Sequence, residues 1–454
     1  FDAAYQRADT DNMVQITRAF RGTPVALRAA LSAAAVAVEN SNIEQAELIL
    51  REMQRSHRRR FAATALAELA KIYESAGWTE QAIAKWMMLK QQYSGVTIVA
   101  DGTAVAPEIR AESLSEERLA ALTATSIIKG NNERRIPDPP WKRLWEEPGP
   151  GLVAIDFGLG FRSEFLDDHL LLASTLNNRL TCRNVHTGQD QWTIDLPVGA
   201  GPTSAILGSY IFHGHAFPAG SILRDGHMGL LWSGDQITMY GLVNGRKQWS
   251  HSIAAPKITY ATLSSLNNLR IGGGFASRIA VANGLIGLHE IDPESLVDQI
   301  RVIDVATGKE RWSRRFDREP VDGVAIAGGY VSVLLNGGQE VWSADQEFGT
   351  EAGRFSVSDR RQRSGLVWTR FGLLQQGPLG VTLRSLPTGN IRWIVRCRSD
   401  GGFRVEQLDE QFCCAVAMGG RSEDRQFLLI DLTTGETKFQ APLETLGRIV
   451  REVV

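Results

Sequence analysis

Five features of the 454-residue sequence have residue types and spacings that could do chemistry. Cys413 and Cys414 are adjacent, the arrangement most suggestive of redox work. They lie in an apolar run (FCCAVAM) ahead of LLIDLTTG. Successive strand residues point to opposite faces, so two buried strand cysteines packing as small hydrophobes are the simpler expectation. His213, Gly214 and His215, with Asp225 and His227 nearby, offer imidazole and carboxylate groups, and histidines two apart on a strand share a face as a metal would require. Their spacing matches no recognised ligand set, and a solvated insertion loop is the expectation. Asp156-Phe157-Gly158-Leu159 would belong to a phosphoryl-transfer site only with an H-R-D segment upstream and a glycine-rich loop before it. A proline-rich stretch precedes it instead. Arg58–Arg60 reads as a solvated basic face at a helix start, and Gly272–Gly274 as a turn, since it opens no helix after a strand. G-x-S-x-G, H-E-x-x-H and C-x-x-C do not occur in the sequence. No catalytic, cofactor-binding or metal-binding residue is assigned, and no cofactor is expected.

The scaffold around these residues changes character along the chain. Leu27–Val38 (LRAALSAAAVAV) and Arg60–Tyr73 are rich in strong helix formers, with apolar positions at three- and four-residue steps. Asn40–Asn42 and Ser75–Trp78 interrupt as turns, and helix resumes over Ile43–Met53 and Thr79–Gln92. A further helix is expected over Ser113–Ile128. In the second hairpin Leu66, Leu69, Ala70, Tyr73, Gly77, Ala82 and Trp86 alternate small and large residues so that two helices can approach closely at Ala70 and Ala82, with Tyr73 and Trp86 filling the space beside them. This spacing resembles a tetratricopeptide repeat, and Ala34, Ala46 and Leu50 repeat it more weakly. An ordinary helical bundle is the bland alternative. Gly130–Gly151 then holds five prolines and reads as a linker. The expected organisation is a helical repeat domain over 1–130, a linker over 131–150 and a β domain over 151–454.

Glycine is abundant (44) and so is tryptophan (11), and one repeat accounts for part of both. Asn184–Trp192 reads NVHTGQDQW, Gly241–Trp249 reads GLVNGRKQW and Asp304–Trp312 reads DVATGKERW. Ser385–Trp393 reads SLPTGNIRW and Asp431–Phe439 reads DLTTGETKF. An Asp or Asn at the first position can accept hydrogen bonds from backbone N–H groups two residues on. Gly188, Gly245, Gly308, Gly389 and Gly435 can supply the positive φ that returns the chain. Trp192, Trp249, Trp312, Trp393 and Phe439 then fall on the outgoing strand, where a repeated aromatic most simply packs between successive copies. The glycines are 57, 63, 81 and 46 residues apart. The widest gap fits two units, so a degenerate copy is expected between, with Asp345–Phe355 (DQEFGTEAGRF) as the candidate. Insertions are expected near His213–His227 and His289–Asp298.

Short strands repeating every ~40–45 residues mark a β-propeller. The T-G-x-x-x-W turn resembles that of the pyrroloquinoline quinone (PQQ)-like propellers over roughly 150–454. Kelch propellers are the second choice, because the Gly-Gly doublets at 328, 337 and 419 keep no fixed offset from the aromatics. The fold expected is therefore multidomain α plus all-β, with tetratricopeptide-like hairpins followed by a six- to eight-bladed propeller, incomplete or closed by further chain. The family includes PQQ-dependent alcohol dehydrogenases and the non-enzymatic BamB lipoprotein of outer-membrane assembly. In the quinoprotein dehydrogenases a vicinal disulfide lies under the cofactor, which gives Cys413-Cys414 its catalytic alternative. The Glu, Asn and Asp ligands of a calcium beside the quinone have no counterpart that the sequence identifies.

A formal charge of −2 gives no polyelectrolyte case for nucleic acid, and no apolar run reaches the ~18 residues of a membrane span. Four cysteines leave the redox compartment open. The sequence opens on Phe1 without a basic-then-apolar leader, so a processed product or a piece of a longer protein is expected. The resulting expectation is a non-enzymatic scaffold for protein or peptide partners. The BamB resemblance implies the periplasm or another extracytoplasmic envelope compartment. A PQQ-dependent dehydrogenase of alcohols or sugars is the alternative.

Overall fold

The computed structural model describes residues 9–99, 108–128, 152–155, 164–174, 179–195, 223–233, 236–253, 279–292, 295, 297–357, 366–369, 371–377, 380–396, 403–407, 412–417 and 425–442. The segment 131–150, Asp156–Leu159, His213, His215 and Gly272–Gly274 fall outside these residues.

Six helices come first: α1 (Thr10–Ala19), α2 (Pro24–Glu39), α3 (Ile43–Gln54), α4 (Arg59–Ser75), α5 (Thr79–Gln92) and α6 (Ala111–Ile128). Their starts follow local chemistry. Asp9 Oδ1 accepts from the Asn12 amide at 3.0 Å, Thr23 caps α2 with Pro24 in first position, and Asn42 Oδ1 accepts from the Gln45 amide at 3.3 Å. Gly77, at φ +80°, makes the left-handed turn from α4 into α5. Helix α1 had no counterpart in the sequence reading. A short antiparallel pair, β1 (Thr97–Val99) with β2 (Glu108–Arg110), separates α5 from α6.

Among the described residues, six antiparallel sheets of four strands follow, each with its strands in chain order. Blade one holds β3 (Leu152–Ile155), β4 (His169–Ser174), β5 (Arg179–Asn184) and β6 (Asp190–Asp195), with a one-turn helix α7 (Glu164–Asp167) between its first two strands. Blade two holds β7 (Leu223–Asp225) to β10 (Lys247–Ser252), by way of β8 (Met228–Ser233) and β9 (Gln236–Gly241). Blade three holds β11 (Ile279–Ala282), β12 (Leu285–Ile291), β13 (Asp298–Asp304) and β14 (Glu310–Phe316). Blade four holds β15 (Val321–Ala327), β16 (Tyr330–Leu335), β17 (Glu340–Asp345) and β18 (Glu351–Ser356). Blade five holds β19 (Leu366–Thr369), β20 (Gly372–Gly377), β21 (Gly380–Arg384) and β22 (Ile391–Arg396). Blade six holds β23 (Phe403–Gln407), β24 (Phe412–Ala417), β25 (Gln426–Asp431) and β26 (Thr437–Pro442).

First strands of neighbouring blades meet (β7 with β11, β11 with β15, β15 with β19, β19 with β23), while fourth strands such as β18 and β22 alternate exposed and half-buried residues. This is a β-propeller with first strands innermost. Asp345–Phe355 forms the fourth blade's turn and outer strand. Its Gly349, at φ +67°, divides the 81-residue gap into 41 and 40.

The helices and the propeller share one core. Met13, Leu27, Ile49, Leu50 and Trp78 lie in the same buried cluster as Phe165, Leu171, Leu180, Cys182, Leu231 and Leu242 of blades one and two. Leu48 joins Met228, Met239, Ile286 and Leu288 between blades two and three.

Candidate functional site

The repeat turns join the third and fourth strand of each blade, and antiparallel pairing places them on the same face as the turns between first and second strands. On this face each blade is locked to the next. The Trp192 indole N–H donates to Leu242 O at 2.9 Å, Trp249 to Val305 O at 2.8 Å, Trp312 to Gln346 O at 3.2 Å and Trp393 to Leu432 O at 3.0 Å. Each acceptor lies three residues before the turn glycine of the following blade. A Cβ on those glycines would collide with the docked ring: 2.6 Å from Trp192 at Gly245, 2.6 Å from Trp249 at Gly308, 2.6 Å from Trp312 at Gly349 and 2.5 Å from Trp393 at Gly435. Blade four carries Gly353 where blades one, two, three and five carry the tryptophan. Phe355, two residues on and so on the same strand face, fills the place and lies 2.4 Å from a Cβ on Gly389. Gly188 makes its turn at φ +70°. Phe439 is 46% exposed and packs edge-on against Phe427 within its own blade.

The helical positions pack within the helices. Ala70 and Trp86 are buried with Leu66 and Leu89, and Trp86 donates its indole N–H to Glu74. Tyr73 and Ala82 are buried in the shared core. Tyr73 also reaches toward the propeller, donating its hydroxyl to Glu47 Oε1 at 2.8 Å.

Helices α1 and α3 lie across the turns of blades two, three and four, and their polar residues are matched to that surface. Glu47 Oε2 meets His227 Nδ1 at 2.8 Å, and Trp78 stacks on the His227 ring at 4.4 Å between centroids. Arg51 donates to Asp225 Oδ1 at 3.0 Å, and Arg55 to the Asn283 carbonyl at 2.7 Å. Asn42 and Gln45 reach Gln248 at 2.8 Å and Ala306 O at 3.3 Å. Further along, three arginines and three carboxylates interleave. Arg18 pairs with Glu52 at 3.0 Å and with Asp304, and Arg311 pairs with Asp304 at 2.7 Å and Glu347 at 2.9 Å. Arg21 reaches Glu347 at 3.1 Å. Asp304 serves two purposes: Oδ1 caps its own turn at the Thr307 amide (2.8 Å), while Oδ2 faces the arginines.

The electrostatics follow from burial and pairing. Burial pushes the Glu47 carboxyl up, but His227, Arg51 and the Tyr73 hydroxyl outweigh it and hold Glu47 at about 2. Glu52 is likewise held at about 2, with Arg18 and Arg311 overcoming the cost of desolvation. Burial raises Glu44 above the ordinary carboxylate range against its backbone hydrogen bonds and His227. Burial, then Glu47, raises Tyr73 well above its usual value. These charges satisfy one another across an intrachain interface.

The remaining sequence candidates have other roles. His227 and Asp225 are buried against the helices, which corrects for these two residues the expectation of a solvated loop, while 213–222 lie outside the described residues: β7 ends and β8 begins there, and Glu47 and Arg51 claim both side chains. The 289–298 segment is a hairpin between β12 and β13 in which His289 Nε2 meets Asp298 Oδ1 at 2.7 Å. Cys413 and Cys414 are buried thiols on β24. Cys413 packs with Val405, Leu428 and Ile430, and burial, then Cys414, pushes its thiol up to about 12. Among the described residues no three His, Cys, Asp or Glu side chains are grouped to hold a metal ion. Among them, too, no helix is long and apolar enough to cross a membrane. Sequence reasoning missed the Glu44, Glu47, Arg51, Glu52 and Arg55 face of α3, which resembles any solvated amphipathic helix until its partner surface is known.

Residues 233–407 match the family model for the outer membrane protein assembly factor BamB. No curated protein matches the sequence. Among solved structures, BamB from Moraxella catarrhalis is similar at 13% identity and TM-score 0.34, over 63% of this chain and 76% of that one. Hsv2 from Kluyveromyces lactis is similar at 12% identity and TM-score 0.36, over 61% and 83%. The dihydro-heme d1 dehydrogenase NirN, in complex with DHE, is similar at 12% identity and TM-score 0.34, over 73% and 74%. The repeated turns and docked aromatics make the described residues from 152 onward a β-propeller preceded by helices, and residues 233–407 of it are similar to the BamB family model.

Proposed function

We propose that the chain is a non-enzymatic scaffold that binds partner proteins or peptides in cell-envelope assembly, in a periplasmic or other extracytoplasmic compartment. The observation that carries this reading is the docking of α1 and α3 over the turns of blades two to four, with Arg18, Glu47, Arg51 and Glu52 all engaged across the interface. Such docking joins the helices to the propeller and covers the turns of blades two to four. Partners are left the opposite face and the outward surfaces of the helices, which are tetratricopeptide-like in their spacing. The family match at 233–407 supports the envelope setting, since the family is described by an outer-membrane assembly factor. A formal charge of −2 favours protein partners over nucleic acid.

The test is in-cell crosslinking of the full chain followed by fractionation and mass spectrometry, in parallel with addition of PQQ and Ca²⁺ to purified protein. The scaffold reading expects defined envelope proteins crosslinked to the opposite face or the outward helices. It also expects no quinone absorbance and no dye reduction with alcohols or sugars. Dye reduction by the PQQ-loaded protein, or crosslinks confined to cytoplasmic proteins, would overturn it.

A further inference from the structure

Four of the six described propeller turns are capped by a carboxylate or amide at their first position; blade five has Ser385 there and blade two has Gly241. Asn184 Oδ1 accepts from the His186 and Thr187 amides at 2.9 and 3.0 Å. Asp345 Oδ1 does the same for Glu347 and Phe348 at 2.8 and 3.1 Å, and Asp431 Oδ1 for Thr433 and Thr434 at 2.8 and 3.1 Å. Asp304 Oδ1 takes the Thr307 amide at 2.8 Å. In blade two this position is Gly241, which has no side chain to offer. There the Val243 amide, two residues on, donates to Glu44 Oε1 of helix α3 at 3.2 Å. A Cβ built on Gly241 would lie 2.6 Å from that same oxygen. The Glu44 carboxyl thus occupies the space where an aspartate side chain would begin, and makes the hydrogen bond that the aspartate would make. Asn244 Nδ2 holds the other oxygen at 3.3 Å. Glu44 is fully buried, and Gly241 adopts a φ outside the left-handed region, so nothing in the backbone demands glycine there. A Cβ there would also lie 2.9 Å from Asn244 Oδ1, so it is Glu44 and Asn244 together that leave room only for glycine.

We propose that the blade-two turn, Gly241–Gly245, is a carboxylate-binding site whose ligand is an acidic side chain from a helix, and that α3 fills it with Glu44, capping the turn in trans. The vacancy at Gly241 and the acid at Glu44 form a matched pair that sets where and in which register the helical region docks. At Gly226, where φ +58° already favours glycine, a Cβ would in addition meet Glu47 Oε2 at 2.8 Å and Arg51 Nη1 at 2.9 Å. The inference concerns intrachain assembly and stands whether or not the scaffold reading holds.

The test moves the cap from trans to cis. Gly241→Asp with Asn244→Thr writes into blade two the D-x-x-T-G turn of blades three and six. Amide hydrogen exchange of the full chain is read at Val243 and along α3. Glu44→Ala alone is expected to speed exchange at Val243 by roughly tenfold, the effect of losing one charge-assisted hydrogen bond. Adding the two turn substitutions to Glu44→Ala returns Val243 to its original protection without restoring α3. The same two substitutions with Glu44 kept force two carboxyls into one space and speed exchange along α3. Glu44→Gln, which retains an acceptor oxygen, keeps most of the Val243 protection and guards against a folding failure in the other variants. The proposal is overturned if Val243 protection does not change on Glu44→Ala, or if the turn substitutions have equal effects with glutamate and with alanine at position 44.

Discussion

Gly308→Ala separates two costs that a turn glycine can carry. Gly308 sits at φ +69° with a Cβ position 2.6 Å from Trp249 Cγ. Gly337, in the hairpin between β16 and β17, sits at φ +70° with nothing within 4 Å of its Cβ position. Both alanine variants bear the same left-handed strain, roughly 1–2 kcal/mol. Only Gly308→Ala must also expel the Trp249 ring from its seat between blades two and three. The expelled ring gives up about 1 kcal/mol for the indole hydrogen bond to Val305 O and roughly 1.5–3 kcal/mol for ring burial, halved for a side chain already part-exposed. Gly308→Ala is therefore expected to cost ~2 kcal/mol more than Gly337→Ala. Native-state hydrogen exchange in blades two and three reads this locally, without assuming that a multi-blade protein unfolds in one step. Equal costs for the two alanines, within about 0.5 kcal/mol, would refute the reasoning that ring docking on the next blade's glycine holds the blades together.

Trp393→Phe keeps an apolar ring under Gly435 but removes the donor to Leu432 O, and a loss of about 1 kcal/mol is expected in urea unfolding of blades five and six. Acidification should loosen the helical interface. Glu52 titrates at about 2 when folded, below its value of about 4.3 when unfolded, so its contribution is present above the unfolded value and fades as pH falls toward 2. That contribution is on the order of 3 kcal/mol, and protection along α3, corrected for the intrinsic exchange rate at each pH, should fall between pH 5 and pH 2.5, with Glu47 acting in the same sense. Cys413, with its thiol pushed to about 12 by burial, should resist iodoacetamide at pH 8 in the native protein and label once the chain is unfolded, as mass spectrometry of the tryptic peptide would report.

What the sequence made legible was the local chemistry. Helices at 43–54 and 79–92 could be placed within a residue because caps, turn residues and apolar steps act over a few positions, and Gly349 could be found because it halves a gap. Two substitutions inside the repeat were harder to read. Phe355 serves blade four from two residues beyond the usual place, which only the period of a strand explains. Gly241 breaks the D/N-x-x-T/N-G form, and the break was visible as GLVNG. Its meaning depended on Glu44, almost two hundred residues earlier in the chain, and no local pattern connects the two. His227 was misread for the same reason: its surroundings are supplied by Glu47 and Trp78, and burial by a distant helix leaves no trace in the neighbouring sequence.

The aromatic locks run in one direction. Trp192, Trp249, Trp312, Phe355 and Trp393 each insert into the turn of the blade that follows, never the one before. During synthesis, then, every blade emerges with its outermost strand unfastened and an apolar ring awaiting a seat. The next turn glycine is translated 40 to 63 residues after the previous one, by the spacings of Gly188, Gly245, Gly308, Gly349, Gly389 and Gly435. For blades one to five the outer aromatic can therefore take its seat only after the next unit's glycine has left the ribosome.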